Sequence, residues 1–262
     1  MLVAHIVEQV TSVDASGDDS GALVRRSVVG SHEGVPSSDI AVVGMSCRMP
    51  GGIEGPAMFW DTVQAGRIMT GKVPFERWDV DALVASNKNM SKEVADRVKY
   101  GGFMDDLDMF DASEFRISAA EAAAMDPCQR LVLELGYAAL HDAGLERMHL
   151  GGSLTGFFLG FSGTEFSQML AASPAGSSVY AATGSSASIA SGRLSYTLGL
   201  HGPCASYDTA CSAALTACHA STRFAASASS RRSKRPRTWH AHCASTTLHP
   251  STALSLCSSM VN

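Results

Sequence analysis

The 262-residue sequence predicts an α/β protein with a largely parallel sheet. Two short, nearly continuous apolar runs, IAVVG at 40–44 and LTGFFLG at 154–160, end at glycines, as is typical of strands buried on both faces. Segments with helix-capping residues and helical spacing of apolar residues lie between and after these runs. Strands that alternate with helices in this way favour a parallel sheet.

The first predicted helix follows the loop MSCRMPGG and runs from Pro56 to about Gly66. Phe59, Trp60 and Val63 lie on one side of it at helical spacing. Proline is favoured in the first turn of a helix and glycine just past the last, which indicates the two ends.

The clearest helix begins at Asp126–Pro127 and ends at Gly144. Asp126 supplies the N-cap, Pro127 occupies the first helical position, and Gly144 is a C-terminal stop. The apolar residues between them leave little polar surface, which predicts a deeply packed helix.

The composition excludes several classes of protein. Apolar residues make up 45% and charged residues 17% of the chain, which is a globular composition and not a disordered or fibrous one. No run approaches the roughly 20 apolar residues of a membrane-spanning helix, and the opening MLVAHIVEQV lacks the basic start of a signal peptide. Seven cysteines without CxxC pairs disfavour a disulfide framework. The sequence therefore predicts an intracellular protein without a membrane partner.

The charge pattern and the composition divide the chain into three regions. Residues 1–37 are rich in Ser, Gly, Asp and Val without sustained periodicity, which predicts a disordered leader or linker. Residues 38–223 carry the strand and helix patterns. All 25 acidic residues lie at or before Asp208, whereas 209–262 contain six basic residues and no acidic one. Residues 224–262 are therefore interpreted as a basic, Ser/Thr-rich tail that is disordered or arises from a frameshift.

The segment CASYDTACSAALTACHAS at 204–221 is the most informative for chemistry. A short run ending at Ala210 meets good helix formers near Cys211, so Cys211 is predicted at a strand-to-helix turn. Amides and the dipole at a helix N-terminus stabilise a thiolate, the attacking form of cysteine, and the Cys211 amide can help to stabilise an oxyanion. Spacing alone favours the simpler interpretation, a buried structural cysteine.

The residues DTACSAAL at 208–215 resemble the active-site cysteine motif of β-ketoacyl synthases. DIAVVGMSCRMPGG, PFERWD, GGFMDDLDMFDASEF, DPCQRLVLE and GRLSYTLGLHGP also occur, in the order and style of the ketosynthase domains of type I polyketide synthases. Several motifs in order are more specific than one motif, and the resemblance covers about Ser38 to Arg223.

The resemblance implies a thiolase-like fold, in which two similar α/β halves give αβαβα layers, with only the N-terminal half represented here. It implies an acyltransferase that moves an acyl chain from an acyl carrier protein to the cysteine, which carries over to Cys211. An intact domain then condenses this chain with a malonyl-type extender by decarboxylation. No cofactor is expected, since the acyl groups arrive on the phosphopantetheine of the carrier protein. The family is usually dimeric, so a complete domain is expected to form a homodimer.

The family's two histidine motifs are missing from this sequence. The histidines that assist decarboxylation and condensation lie in His-Gly-Thr-Gly-Thr and Asn-Ile-Gly-His, and neither motif occurs in the 262 residues. The loss of even one donor to a developing oxyanion costs about 100- to 1000-fold in rate. His219 lies about 12 Å along the predicted helix from Cys211, too far to replace them, and His201 is expected in a solvated loop. The sequence thus predicts a truncated ketosynthase that cannot condense.

Two alternatives stay open. A thiolase or chalcone-synthase relative also uses a cysteine in a similar fold, although the motif from Asp126 to Glu134 favours the ketosynthase. The second alternative belongs to a different class of protein: a non-catalytic interaction protein that pairs with full-length ketosynthases or carrier proteins. Acylation of Cys211 separates the two classes.

Other motifs carry weaker signals. The set His240, His242, Cys243, His249 and Cys257 fits no familiar zinc spacing, so no metal is expected. SRRSKRPR at 230–237 is compatible with a nucleic-acid patch, but no nucleic-acid partner is expected. The acidic residues of GGFMDDLDMFDASEF, Asp105, Asp106, Asp108 and Asp111, are assigned to turns and caps.

Overall fold

A computed structural model of the chain describes residues 2–8, 40–162, 165–230 and 240–247, with side chains over 41–162 and 165–225. The strands are β1 (Leu2–Glu8), β2 (Ile40–Met49), β3 (Ile53–Glu54), β4 (Gly71–Lys72), β5 (Tyr100–Gly101), β6 (Gly156–Ser162), β7 (Cys204–Tyr207) and β8 (His240–Thr247). The helices are α1 (Pro56–Gln64), α2 (Val80–Ser86), α3 (Lys92–Arg97), α4 (Ala119–Ala123), α5 (Pro127–Asp142), α6 (Arg147–Leu150), α7 (Glu165–Ala171), α8 (Ala181–Ser185), α9 (Ala187–Leu198) and α10 (Ala213–Ser230). In the described part of the chain, no helix has the length and apolar character needed to cross a membrane.

The central sheet is mixed. Its six strands lie in the order β3-β2-β1-β8-β6-β7, and β4 and β5 form a separate small pair. β6 is parallel to both β7 and β8, whereas β1 is antiparallel to β8 and to β2. The α/β class is confirmed, but the prediction of a largely parallel sheet is wrong. Apolar patterning indicates that a strand exists, and it carries no information on strand direction outside a strand-helix-strand unit.

Two strands of the sheet come from segments in which the sequence predicted no regular structure. β1 lies within the expected leader, and β8 lies within the expected tail. Each occupies a central position with a neighbour on both sides, so its backbone groups are paired along both edges. The disorder expected for the leader and the tail as a whole stays a prediction, although sheet pairing can stabilise a strand that has little apolar periodicity of its own. The boundaries between the three regions stay a prediction.

The predicted strand and helices of the middle region are present. All residues of LTGFFLG from Thr155 onward are buried, and most of them form β6. The Asp126 carboxylate accepts a hydrogen bond from the Cys128 amide at 2.7 Å, so Asp126 caps α5 as predicted. Gly144 has a φ of 75° directly after the last turn of α5, a conformation that suits glycine. Gly66 plays the same part after α1, with a φ of 60°.

The core lies on both faces of β6. On one face Phe157, Leu159 and Phe161 pack with residues of α5 and α9, including Leu133, Leu140 and Leu194. On the other face Phe158 packs with Ala217 and Ala225 of α10, and its ring centroid lies 5.7 Å from that of Phe224. Among the residues with described side chains, α10 packs on this second face together with Ala205 and Tyr207 of β7.

The strand β2 is not buried on both faces as predicted. Val42 is 53% exposed and Met45 is 43% exposed, because α10 lies mainly against β6 and β8 and barely reaches β2. On α10 itself Leu215 is 73% exposed, while Ala214 and Cys218 are partly buried. Apolar side chains of β2 are thus left exposed on the side of the sheet that carries α10.

We expect the chain to bind a hydrophobic dye strongly, and Leu215→Ser to reduce that binding without lowering the unfolding midpoint. The reason is that an exposed leucine presents apolar surface to the dye while contributing little to the core. Dye fluorescence and a thermal melt check both parts. Met148→Ser, at a residue that is 76% exposed elsewhere, is the matched control. Equal dye binding by the Leu215→Ser variant and the unchanged chain would contradict the expectation.

Candidate active site

The contact between β6 and α10 sets the position of the site. Gly160 of β6 lies so close to the start of α10 that a Cβ there would be 2.6 Å from the carbonyl carbon of Ala213 and from the amide nitrogen of Ala214. Only a glycine lets the helix backbone approach the strand this closely. Cys211 is two residues before the first residue of α10, so this contact also places Cys211.

The turn between β7 and α10 is held by its own hydrogen bonds. The Asp208 carboxylate accepts from the Ala210 amide at 3.1 Å, and the Ala213 amide donates to the Ala210 carbonyl at 3.0 Å. The Ser212 hydroxyl donates to the Thr209 carbonyl at 2.9 Å. These bonds define a sharp strand-to-helix turn with Cys211 at its centre.

The residue before the cysteine has a strained backbone. Ala210 has a φ of 52°, which is in the left-handed region that residues with a Cβ rarely adopt. Such conformations cost on the order of 1–3 kcal/mol and cluster at functional sites, where the surrounding structure holds them. The strain at Ala210 therefore supports a functional role for the turn.

Cys211 is exposed at the N-terminal end of an 18-residue helix. The partial positive charge of that helix end favours an oxyanion formed beside it. The predicted strand-to-helix placement is observed, and the alternative of a buried structural cysteine does not fit the exposure of Cys211.

The other described cysteines differ from Cys211 in exposure. Cys47 and Cys128 are buried, and burial is the main cause that raises the pKa of each thiol; for Cys128 the pKa lies well above the usual value, with the Asp126 carboxylate adding to the effect. Cys218 is partly buried in the core beneath α10. Cys204 is exposed, and it begins β7, the end strand of the sheet.

We expect iodoacetamide at neutral pH to alkylate Cys211 first, Cys204 next, and Cys47 and Cys128 last. The buried pair is inaccessible and held as neutral thiols, whereas Cys204 is exposed but has no helix end beside it. Mass-spectrometric mapping over time checks the order. Rapid labelling of Cys47 or Cys128 with Cys211 inert would contradict it.

The described histidines do not complete the site. His201 is exposed in the loop before β7, where its amide donates to the Ser153 carbonyl at 2.7 Å. His219 is exposed two turns further along α10 than Cys211. Within residues 41–162 and 165–225, no three His, Cys, Asp or Glu side chains lie close enough together to hold a metal ion.

Of the four acidic residues assigned to turns and caps, Asp111 has that structural role through its side chain. The Asp111 carboxylate accepts from the Ser113 hydroxyl at 2.6 Å and from the amides of Ser113 and Glu114 at 3.2 Å, which closes a turn. The same hydrogen bonds lower the pKa of Asp111. The main-chain carbonyls of Asp105 and Asp108 accept from Arg48 and Arg130 instead.

A buried polar network supports the site and was not predicted. Arg193 of α9 donates to the Gln129 side chain at 2.8 Å and to the Glu121 carboxylate at 2.5 Å. Gln129 of α5 also donates to the carbonyls of Thr183 and Ser186, at 3.3 and 3.2 Å, so the network fixes the junction of α8 and α9. The sequence carried one signal for this network: Gln129 and Arg193 are polar residues inside segments made largely of apolar or small residues.

The network reaches the site through β7. The Ser206 hydroxyl donates to the carbonyl of Ala187 at 2.5 Å, so the first residue of α9 is tied to the strand that leads to Cys211. A shift at the α8–α9 junction would therefore move β7 and the turn that follows it.

A layered sheet with helices on both faces and a cysteine between strand and helix is the arrangement expected of a thiolase-like protein. The chain belongs to the β-ketoacyl synthase family: residues 37–228 match the family described as "Beta-ketoacyl synthase, N-terminal domain".

The similar curated proteins are polyketide synthases. The chain is 42% identical over 170 residues to the phenolphthiocerol synthesis polyketide synthase type I Pks15/1 of Mycobacterium bovis, covering 64% of this chain and 8% of that protein. It is 43% identical over 162 residues to the polyketide synthase GfsB of Streptomyces halstedii, covering 62% of this chain and 3% of that protein. The chain thus spans less than a tenth of the length of these two relatives.

The similar solved structures are ketosynthase domains. The oxazolomycin ketosynthase domain OzmH KS7 of Streptomyces albus JA3453 has a TM-score of 0.63 and 28% identity, with 83% of this chain and 37% of that chain covered. The ketosynthase from module 6 of the bacillaene synthase of Bacillus subtilis 168 has a TM-score of 0.60 and 29% identity, with 83% and 33% covered. The thiolase-like fold is confirmed, and about a third of a ketosynthase chain is represented.

Proposed function

We propose that Cys211 accepts an acyl chain from the phosphopantetheine thioester of an acyl carrier protein. The observation that carries the proposal is the exposed thiol of Cys211 at the N-terminal end of α10, in a chain that matches the ketosynthase N-terminal domain. An acyl donor can reach this sulfur without any rearrangement of the core.

The transfer is a thioester exchange. The Cys211 thiolate attacks the carbonyl carbon of the carrier-bound thioester, and a tetrahedral oxyanion forms. The carbon–sulfur bond to the phosphopantetheine then breaks, the carrier thiolate leaves and takes up a proton, and a thioester on Cys211 is the product. The Cys211 amide at the start of α10 supplies one donor to the oxyanion.

Condensation does not follow in this chain alone. The next step in the family needs an extender carbanion, generated by decarboxylation with help from two histidines. The motifs that carry them are absent from the 262 residues, and His219 lies about two helix turns along the chain from Cys211. The proposed activity of this chain is therefore self-acylation, with condensation dependent on groups from outside it.

The proposed protein partners are an acyl carrier protein and a second ketosynthase chain. β7 is the end strand of the central sheet, so one of its edges has no neighbour among the described strands. An exposed strand edge is a template for pairing with another chain. This edge also gives the second candidate function, a non-catalytic protein that pairs with full-length ketosynthases.

Incubation of the chain with a carrier protein that bears an acyl group and a carrier protein that bears a malonyl group tests the proposal. We expect intact-mass spectrometry to show one acyl group on the chain, and no β-ketoacyl product to form. Cys211→Ala should abolish the acylation, and Cys204→Ala, which removes the other exposed described thiol, should leave it unchanged.

Each possible result of this experiment bears on one part of the proposed function. Acylation that persists in the Cys211→Ala variant would overturn the assignment of the nucleophile. Steady formation of product would overturn the proposed block on condensation. Complete absence of acylation, with a complex to a full-length ketosynthase seen by size-exclusion chromatography, would favour the interaction protein.

A further inference from the structure

Three hydroxyl side chains form a closed network around Cys211. The Ser212 hydroxyl lies 2.9 Å from both the carbonyl oxygen and the hydroxyl oxygen of Thr209, and it donates its proton to this pair. The Thr216 hydroxyl, in the first turn of α10, donates to the Ser212 carbonyl at 3.2 Å. Its oxygen also lies 3.2 Å from the Thr209 hydroxyl. The network therefore ties the residues on either side of Ala210 and Cys211 to the first turn of the helix.

The protons of the three hydroxyls fix the direction of each hydrogen bond. A hydroxyl carries one proton to donate and two lone pairs that accept. Thr216 donates to the Ser212 carbonyl and Ser212 donates to Thr209, so the bond between the two threonines takes its proton from Thr209. Removal of the Thr216 hydroxyl therefore leaves Thr209 without its acceptor and opens the network at one point.

The network spans the strained part of the turn. Ala210, with a φ of 52°, lies between Thr209 and Ser212, and the Ser212 amide donates to the Thr209 carbonyl at 3.2 Å. The hydroxyl bonds join the same two residues a second time, so they oppose relaxation of Ala210 to a common backbone conformation. The peptide unit between Ala210 and Cys211 is planar, so the conformation of Ala210 sets the direction of the Cys211 amide.

We propose that Thr209, Ser212 and Thr216 are positioning residues, whose hydroxyl network holds the Cys211 amide in the direction of the oxyanion formed during acyl transfer. The inference rests on the proposed acylation of Cys211. A donor stabilises an oxyanion best when it is oriented before the charge develops, and a misplacement of about 1 Å can cost about 100-fold in rate. Alkylation by iodoacetamide, in which the sulfur displaces iodide from carbon, forms no oxyanion. The two reactions of one thiol therefore separate the position of the amide from the reactivity of the sulfur.

Thr216→Val in the full chain tests the network, since valine keeps the branched shape of the side chain and removes the hydroxyl. We expect single-turnover acylation by a carrier protein that bears an acyl group to slow by about 10- to 100-fold at saturation, with the half-saturating concentration unchanged. The rate of Cys211 alkylation should not change. Thr216→Ser keeps the hydroxyl and should restore fast acylation. Thr222→Val is the matched control, because the Thr222 hydroxyl donates to the His219 carbonyl at 2.8 Å further along the same helix.

The results separate this inference from the proposed function. Equal acylation rates for the Thr216→Val variant and the unchanged chain would overturn the inference and leave the proposed function standing. Equal slowing of acylation and alkylation would overturn it too, because the loss would then lie in the thiol or in the fold. If the Thr216→Val variant does not give a cooperative thermal melt, Ser212→Ala decides by the same selective slowing or its absence. A failure to acylate the unchanged chain would overturn the proposed function, and this inference with it.

Discussion

Replacing Gly160 by alanine is expected to destabilise the chain and to remove the reactivity of Cys211 together. The new Cβ would lie 2.6 Å from two main-chain atoms at the start of α10, which no rotamer change can relieve. Overpacking of this kind costs about 1–3 kcal/mol and more where backbone must move. Net stabilities of domains are about 5–15 kcal/mol, so the loss should be easy to measure.

Urea unfolding and the rate of Cys211 alkylation measure the two effects. Gly192→Ala is the matched control, because Gly192 lies inside α9 with no atom within 4 Å of an added Cβ. Alanine in a helix interior is favoured over glycine by about 1 kcal/mol, so this control should be neutral or stabilised, with normal alkylation. If both variants behave alike, the close contact of β6 and α10 does not position the nucleophile.

The parts of the fold that depend on local chemistry were predictable from the sequence. The ends of α5 follow from Asp126, Pro127 and Gly144, which act through bonds to their own helix turn. The turn at Cys211 also follows from nearby residues, since a short strand must give way to good helix formers there. In each case the determining residues are neighbours in the chain.

The parts that depend on distant pairing were not predictable. The position of β8 is set by its register with β1 and β6, and nothing in HAHCASTT specifies those partners. The same reason explains why Arg193 was missed. Its partners Gln129 and Glu121 are 64 and 72 residues away, and a buried charge is recognisable only once its partners are known.

The polar network around Arg193 connects the buried core to the turn that carries Cys211. Arg193 has 8% side-chain exposure and Glu121 26%, so their ion pair is largely removed from water. Through the α8–α9 junction it is linked to Ser206, and from there to the turn that carries Cys211. A change at the network should therefore affect both stability and the nucleophile.

Arg193→Met is expected to lower the free energy of unfolding by about 3–5 kcal/mol, the usual cost of removing one partner from a buried ion pair. The substitution keeps most of the side-chain volume but leaves the Glu121 carboxylate and the Gln129 carbonyl oxygen without their donor. Lys72→Met is the matched control: Lys72 and Asp81 lie 3.1 Å apart with side chains 58% and 62% exposed, and such solvent-exposed pairs contribute little to stability.

A third variant separates charge from geometry at the same position. Arg193→Lys can keep the ion pair with Glu121, but a single ammonium cannot reproduce the planar set of bonds to Gln129, Glu121 and Thr183, so its stability should lie between those of the Met variant and the unchanged chain. Urea unfolding curves give the order, and the Cys211 alkylation rate should fall in the same order. Equal losses for Arg193→Met and Lys72→Met would show that the buried network contributes no more than a surface pair. Full stability with slowed alkylation would instead place its role in positioning β7 alone.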